Sequence, residues 1–248
     1  MSKLVSVIIT THNRLELFKK ALNSVLTQSY KNYEIIVIDG SADLSVKTHI
    51  KSLKNIKYQH FDNDNANYLR NKGVELSAGD LIAFLDDDDI WKEHKLQSQV
   101  HAFNKNNIHL CYTGKNIRYE KKAIEKYSFK KPIFSDIFNS ILWDNFIGTT
   151  SSIMVRSSVF KLVGGFDESF PALQDYEFYI RVCKNFQIIG IDESLVIYRC
   201  GHSASQISLN EVKFKIAKDL LKSKYNYKLL RFSLFKIGFK KRLKKYYE

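Results

Sequence analysis

Proline and cysteine are scarce in this chain of 248 residues, with 2 and 3 copies. So few prolines, together with only 10 glycines, exclude a proline-rich linker, a low-complexity spacer or a collagen-like repeat, and the chain reads as folded throughout. Cys111, Cys183 and Cys200 are odd in number, far apart and without metal-type spacing, which argues against a disulfide framework or a zinc site and predicts reduced thiols in or near the core. No apolar run reaches the roughly 18 residues that a membrane span requires. The N-terminus MSKLVSVIITTHN lacks a signal-peptide pattern, so the expected location is the cytosol.

What is present in excess is positive charge, and it is unevenly placed. The net charge is +13, yet residues 213–248 hold 13 Lys and Arg against only Asp219 and Glu248, leaving the preceding body close to neutral. A near-neutral body with a cationic appendage predicts a polyanionic surface as a partner for the tail.

Negative charge is concentrated at one point. Asp86, Asp87, Asp88 and Asp89 follow the apolar run Leu81 to Leu85 directly. A buried strand ending in stacked carboxylates accumulates repulsion that a bound cation relieves, and hard oxygen ligands suit Mg²⁺ or Mn²⁺, particularly beside a substrate diphosphate. Taken alone, the same run would also suit a solvated turn in which Asp89 caps the following helix.

The surrounding pattern alternates strand and helix. Strands are predicted over 4–10, 34–39, 56–61 and 81–85, with helices over 15–28, 43–53 and 66–77 between them, the signature of an α/β domain with a mainly parallel sheet flanked by helices. Polar residues recur at the carboxyl ends of these strands, at Thr10 to Asn13, at Asp39 to Ser41 and at the aspartate run, where open α/β sheets bind ligands. Further on, a helix is expected over 92–103, a short strand over 110–112, a charged and mobile loop over 116–131, and a strand over 152–155. Ser157 is expected to cap a short helix before Gly164, a helix to cover 175–183, and a strand pair or bent strand 188–197.

The blocks SVIITTHNR, EIIVIDGS, YLRNKG with AGDLIAFLDDDDIW, VGGFDE and QDYEFYIR, in that order, resemble the successive motifs of the family 2 glycosyltransferases, inverting bacterial enzymes of the nucleotide-sugar-binding GT-A fold. The resemblance spans Ser6 to about Ser205. It implies a GT-A domain over 1–206, divided into a nucleotide-binding half (1–90) and an acceptor-binding half (91–206), followed by a basic helical tail (207–248). It implies that Thr11, His12, Asn13 and Arg14 line a nucleoside pocket, that Asp39 accepts a hydrogen bond from the base, and that Arg70 and Asn71 frame the diphosphate. Asp86, Asp87 and Asp88 match the DxD motif: Asp86 and Asp87 belong with the donor contacts and Asp88 ligates Mn²⁺ or Mg²⁺. Asp175 stands at the catalytic base, and His202 resembles a loop histidine that some relatives bring to the metal.

Two departures from the family pattern carry expectations. IDGS is one aspartate short of the frequent DDGS, which loosens the choice of base; Gln174 replaces an acid beside Asp175, which should make that carboxylate a weaker base. The implied reaction is transfer of a hexose from a nucleotide sugar, foremost UDP-Gal, UDP-Glc or an N-acetylhexosamine analogue, to a polyprenyl-diphosphate-linked glycan of a bacterial surface polysaccharide. A sugar-nucleotide nucleotidyltransferase is the first alternative, but it needs a Gly-rich, Arg-containing loop that TTHNRLE lacks. A catalytically silent scaffold is the second, against which Asp88 and Asp175 both speak.

In the tail, Phe232, Phe235, Phe239, Leu243 and Tyr246 form one helical stripe flanked by lysines, which suits an interfacial helix on an anionic inner leaflet and places the protein peripherally on the membrane. Leu230, Leu234 and Ile237 fall off the stripe and leave packing on the domain, or on a second copy in a homodimer, as the alternative. Nucleic acid is not an expected partner.

Overall fold

The computed structural model describes residues 2–119, 124–200 and 210–225. The first strand, β1 (Val5–Thr11), is buried along its whole length because it has parallel neighbours on both sides: β2 (Tyr33–Asp39) and β4 (Leu81–Asp86). Strand β3 (Ile56–His60) pairs with β2 and completes a parallel half-sheet. Period-2 alternation gives each face its own core. Ile8 points to one cluster with Ile36, Ile82 and Phe84, whereas Val7 and Ile9 point to the other with Val37, Leu81 and Leu85.

Helices cover both faces. Helix α1 (Leu15–Leu26) buries Phe18, Ala21, Leu22 and Val25, a stripe at helical spacing. The short α2 (Ser45–Ile50) lies on the same side, with Val46 and Ile50 in that core. Helix α3 (Ala66–Glu75) is set by Asn65, whose side chain accepts from the backbone N–H groups of Asn67 and Tyr68.

Beyond β4 the sheet becomes mixed, in the order β3-β2-β1-β4-β8-β6-β9-β5, with β7 paired to β6. These elements are β5 (Ile90–Trp91), α4 (Lys95–Lys105), β6 (Leu110–Tyr119), β7 (Ile124–Ser128), α5 (Ile137–Trp143), β8 (Ile153–Arg156), α6 (Ser157–Leu162), α7 (Gln174–Asn185), β9 (Ile188–Cys200) and α8 (Glu211–Tyr225). Over the whole sheet most paired residues are parallel, and β6 and β9 add a parallel ladder from Leu110 to Tyr119 to the otherwise antiparallel half.

Several expectations are corrected here. The loop expected over 116–131 is built largely from the far half of β6 and from β7, an antiparallel pair in which Arg118 and Glu125 face each other as an ion pair. Its polar sequence misleads because β7 is an exposed edge strand whose stability comes from backbone pairing and cross-strand charge. Ser157 is the first helical residue of α6 and not its cap; Arg156 takes that position without a side-chain hydrogen bond. Residues 188–197 form one strand with two register irregularities, the bent-strand alternative and not the strand pair, and it continues to Cys200. All three cysteines are free and buried, as expected.

Helix α8 packs on the domain. Ala217 and Leu221 join the core, Lys224 reaches Asp167 and Glu177 at 2.8 Å each, and Tyr225 donates to Glu177 Oε1 at 2.8 Å. The aromatic stripe from Phe232 to Tyr246 lies outside the described residues. Among the described residues, no helix is long and apolar enough to cross a membrane. Glu177 also pairs with Arg181 at 2.6 Å, and Arg181 Nη2 donates to Gly165 O at 2.6 Å, so α7, α8 and the 163–166 turn meet at one buried carboxylate. Arg181→Met should therefore cost about 3 kcal/mol of stability in a urea titration, because it strips a charge partner from a buried acid. Unchanged stability would mean that Lys224 and Tyr225 satisfy Glu177 without it.

Candidate active site

Strand register brings the polar strand ends together. Thr11 is the partner of Asp39 across β1 and β2, and Thr10 is the partner of Asp86 across β1 and β4. On the β2 side, His12, Gly40, Asp62, Asn63 and Asp64 line an open cavity of about 360 Å³. Among the described residues, His12 Nδ1 is buried there without a hydrogen-bond partner. Gly40 is needed at this point, since a Cβ would run into the Asn63 carbonyl and come within 3.3 Å of His12 Nδ1. Asn13 turns the chain in the left-handed region (φ 55°), with its N–H on Ser41 Oγ at 2.8 Å and its Oδ1 accepting from Ala42 N at 2.9 Å. Sequence reasoning missed Asp62, Asn63 and Asp64, because the run FDNDN reads only as turn chemistry.

Asp39 is wholly buried, and local donors occupy both oxygens: Ser41 N on Oδ1 and Tyr58 Oη on Oδ2, each at 2.9 Å. Burial and the contact with Asp39 raise the Tyr58 phenol above its ordinary range. The expected hydrogen bond from a base would thus compete with Tyr58.

The aspartate run divides by facing. Asp86 and Asp88 keep partly exposed side chains, whereas Asp87 and Asp89 are buried. Asp87 Oδ2 accepts from Thr11 Oγ1 at 2.8 Å and from Arg14 Nε at 3.1 Å, and Arg14 Nη2 lies 2.7 Å from Asp87 Oδ1. Arg14 Nη1 continues to Asp88 Oδ2 at 3.1 Å. Burial would lower the Arg14 pKa, but Asp87, Asp88 and Asp86 together raise it. Burial pushes the Asp87 carboxyl up against the pull of Arg14, and burial, with Asp88 and Asp86 nearby, pushes Asp89 well above the usual carboxylate range. One expectation changes accordingly, and the capping alternative falls. Thr11 and Asp87 support the site from behind instead of lining it, because their polar groups are spent on each other and on Arg14. Asp89 is no helix cap, since α4 begins only at Lys95 and Asp89 N closes a turn onto Asp86 O at 3.0 Å.

Beneath the run lies packing that the sequence only partly signals. Trp91 is buried, with Nε1 on Ser151 O at 2.9 Å. Lys95 is fully buried beside it, its Nζ 3.8 Å from the Trp91 ring centroid and 2.7 Å from Gln99 Oε1, and burial pulls its pKa down to about 7.

Asp86 and Asp88 fit a divalent cation by donor chemistry, presenting hard oxygens on the open side of the run. Among the described residues no three metal-binding side chains converge, so such an ion would draw its other ligands from diphosphate and water. His202 lies outside the described residues.

Arg70 is buried and uses Nη2 on Asp86 Oδ1 at 2.5 Å, while its Nε and Nη1 have no hydrogen-bond partner among the described residues. Burial would lower its pKa, but Asp86 and Asp175 raise it, so its charge lies between the aspartate run and α7. Asp175 sits in the first turn of α7, with Oδ1 accepting from Tyr176 N at 2.7 Å. Burial raises its pKa to about 6, partly offset by that N–H, Arg70 and Lys115. The weaker base expected from Gln174 is thus outweighed by burial, which makes the carboxylate more basic. Lys115, unnoticed in the sequence, is enclosed near Asp175 and Asp89.

Asn71 corrects another expectation. Its Nδ2 donates to Phe166 O and Glu168 Oε1 at 2.9 Å, and its Oδ1 accepts from Phe166 N at 2.9 Å, so it fastens α3 to the 165–168 turn instead of facing a diphosphate. Asn71→Ala should cost about 1–3 kcal/mol in thermal or urea unfolding, through Phe166 backbone groups left unpaired. It should leave nucleotide affinity unchanged; lost affinity with intact stability would return Asn71 to the binding site.

The Glycosyl transferase family 2 model matches residues 6–164. An uncharacterised glycosyltransferase of Rickettsia conorii is 31% identical over 77% of this chain and 32% of its own length, so the chain spans about a third of that relative. The Escherichia coli protein WfgD, named as a UDP-Glc:alpha-D-GlcNAc-diphosphoundecaprenol beta-1,3-glucosyltransferase, is 27% identical over 85% of this chain and 81% of its own. The E. coli putative colanic acid biosynthesis glycosyl transferase WcaA is 29% identical over 85% of this chain and 77% of its own. Among solved structures, S. aureus TarS 1-349 in complex with UDP-GlcNAc superposes with a TM-score of 0.69 at 17% identity, covering 83% of this chain and 61% of that one. The mannosyltransferase PcManGT from Pyrobaculum calidifontis, in complex with GDP-Man and Mn2+, superposes at 0.63 with 15% identity, covering 82% and 59%. With most of its length inside the family model and its fold shared with these structures, the chain belongs to glycosyltransferase family 2 and has the GT-A fold.

Proposed function

We propose that this glycosyltransferase moves one hexose, with inversion, from a UDP-sugar to a polyprenyl-diphosphate-linked saccharide in the assembly of a bacterial surface polysaccharide (O-antigen, capsule or lipooligosaccharide). The observation that carries the chemistry is Asp175, a single enclosed carboxylate with its pKa raised to about 6, beyond Arg70 from Asp86. A group of that basicity near neutral pH suits removal of a proton from an acceptor hydroxyl as it attacks the anomeric carbon. One displacement inverts the centre, so an α-linked donor gives a β-linked product without a covalent protein intermediate.

The donor side is assigned by chemistry. His12 and Asn13 would flank the nucleoside, Asp86 would face the sugar, and the unpartnered nitrogens of Arg70 would meet a diphosphate oxygen. A divalent cation at Asp88, Mn²⁺ or Mg²⁺, supplies charge stabilisation for the departing diphosphate when bound. The UDP-Glc and diphosphoundecaprenol in the name of WfgD support the donor and acceptor classes, as does UDP-GlcNAc bound to TarS; the GDP-Man of PcManGT marks the competing base. On this reading, residues 1–90 hold the donor, residues 91–206 receive the acceptor, and the basic tail attaches the enzyme to the anionic inner leaflet from the cytoplasm. Its charge alone supports that attachment. Membership of the transferase family removes the nucleotidyltransferase alternative.

Asp175→Asn should leave UDP affinity unchanged and lower transfer by about 10²- to 10⁴-fold. Asp175 acts deprotonated, so kcat/KM should be full above its pKa and fall as the pH drops through about 6. Initial rates across pH 4.5–8 check both, and an Asn variant that keeps full transfer would show the base to be elsewhere.

A further inference from the structure

Among the described residues, Lys115 is the one cation acting on Asp175 that neither the sequence pattern nor the reaction above uses. It lies on β6, and register fixes its level in the sheet. Ile82 of β4 and Leu110 of β6 both pair with Val155, so the rungs of β6 beyond Tyr112 run past the end of β4 to the height of the aspartates. Two strand spacings separate β4 from β6, which is about 10 Å. Between Thr113 and Lys115 the register against β9 shifts twice, and such irregularities re-aim side chains beside binding sites.

The surroundings of the ammonium suit a cation and, among the described residues, hold no counter-ion for it. Nζ is 5.2 Å from the Tyr198 ring centroid. Gly148 (φ 94°) also lies against it, where a Cβ would stand 2.5 Å from Nζ, so a side chain at that position would push the ammonium aside. Among the described residues no carboxylate forms an ion pair with Lys115. Asp89 and Asp175 attract it only from a distance, and Lys130 repels it while being itself neutralised by Asp144 at 2.6 Å. Solvent still reaches Lys115. An enclosed ammonium without a partner is costly to maintain, and a ligand anion entering through that opening would supply one.

Given the transferase reading, on which this inference rests, we propose that Lys115 binds the diphosphate of the acceptor, and that the enzyme therefore acts on a saccharide whose attacked residue is joined directly to lipid diphosphate. The offset of about 10 Å between β6 and β4 leaves room for one hexose between that anion and the donor. Tyr198 and Gly148 both lie close to the ammonium, and its charge lies on the acceptor half of the sheet, apart from the Arg70 and Asp88 groups assigned to the donor. A relative whose named acceptor carries its sugar on diphosphoundecaprenol has the same chemistry.

The test is calorimetric binding of hexyl diphosphate, with uncharged hexyl glucoside as control, to the full chain with and without saturating UDP and Mn²⁺. Wild-type protein should bind hexyl diphosphate with UDP in place. Lys115→Met should bind it at least tenfold more weakly, Lys115→Arg should restore part of the affinity, and UDP affinity should be equal in all three. The melting temperature of Lys115→Met should be unchanged or raised, because an unpaired enclosed charge is removed; a merely structural lysine would give a lower one. Equal hexyl diphosphate affinity in Lys115→Met, parallel loss of UDP affinity, or no binding by UDP-loaded wild-type protein would each overturn the assignment. Absence of UDP binding would count against the transferase reading instead, and the arm without nucleotide would still report on Lys115.

Discussion

Four carboxylates at the end of one buried strand are the constraint around which the rest of this molecule is arranged. Two unit charges about 4 Å apart repel by about 4 kcal/mol at an effective dielectric near 20, so the run is tolerable only with compensation from several directions. Local geometry supplies the first part: Asp87 and Asp89 turn into the protein while Asp86 and Asp88 face out. Arginine supplies the second. Arg14, just past β1, grips Asp87 with two nitrogens and reaches Asp88 with a third, and Arg70 from α3 meets Asp86. The β1 to α1 turn and the placement of α3 follow from bringing these charges to the strand end. What remains uncompensated faces the cleft, which is where a cation and a diphosphate would be bound.

Asp86 and Asp175 each feel the charge of Arg70, and Asp175 also feels Lys115. The cleft is thus a row of alternating charge running from the parallel half of the sheet to the mixed half. Burial raises Asp175 into the range of a base, and the neighbouring cations keep it from rising further. The support is rigid: Asn71 fastens α3 to the turn after Gly165, and Arg181 with Glu177 fastens that turn to α7 and α8. The first turn of α7, which carries Asp175, is thereby fixed relative to the aspartate run.

The parallel half of the fold was legible in the sequence because its strands are buried on both faces and read as unbroken apolar runs, as in VSVIITT and EIIVID. The strand ends at Asn13, Asp39 and Asp86 were legible for the related reason that polar residues must stop such runs. Strand β7 was not, because an edge strand with both faces exposed carries no hydrophobic period. Thr11, Asn71 and Asp87 were assigned to the cleft by their place in motifs, and only side-chain geometry reveals that they face the protein. Lys115 and Lys95 were invisible, since one lysine in a charged chain gives no sign of enclosure until the tertiary structure surrounds it.

On the proposed reading, the aspartate run and the crevice beside His12 form one metal-dependent nucleotide site. Calorimetric titration of UDP, GDP and dTDP, with Mn²⁺ and again with EDTA, tests it most directly. UDP should bind tightest, and its binding should vanish with EDTA. Absence of nucleotide binding under both conditions would contradict it.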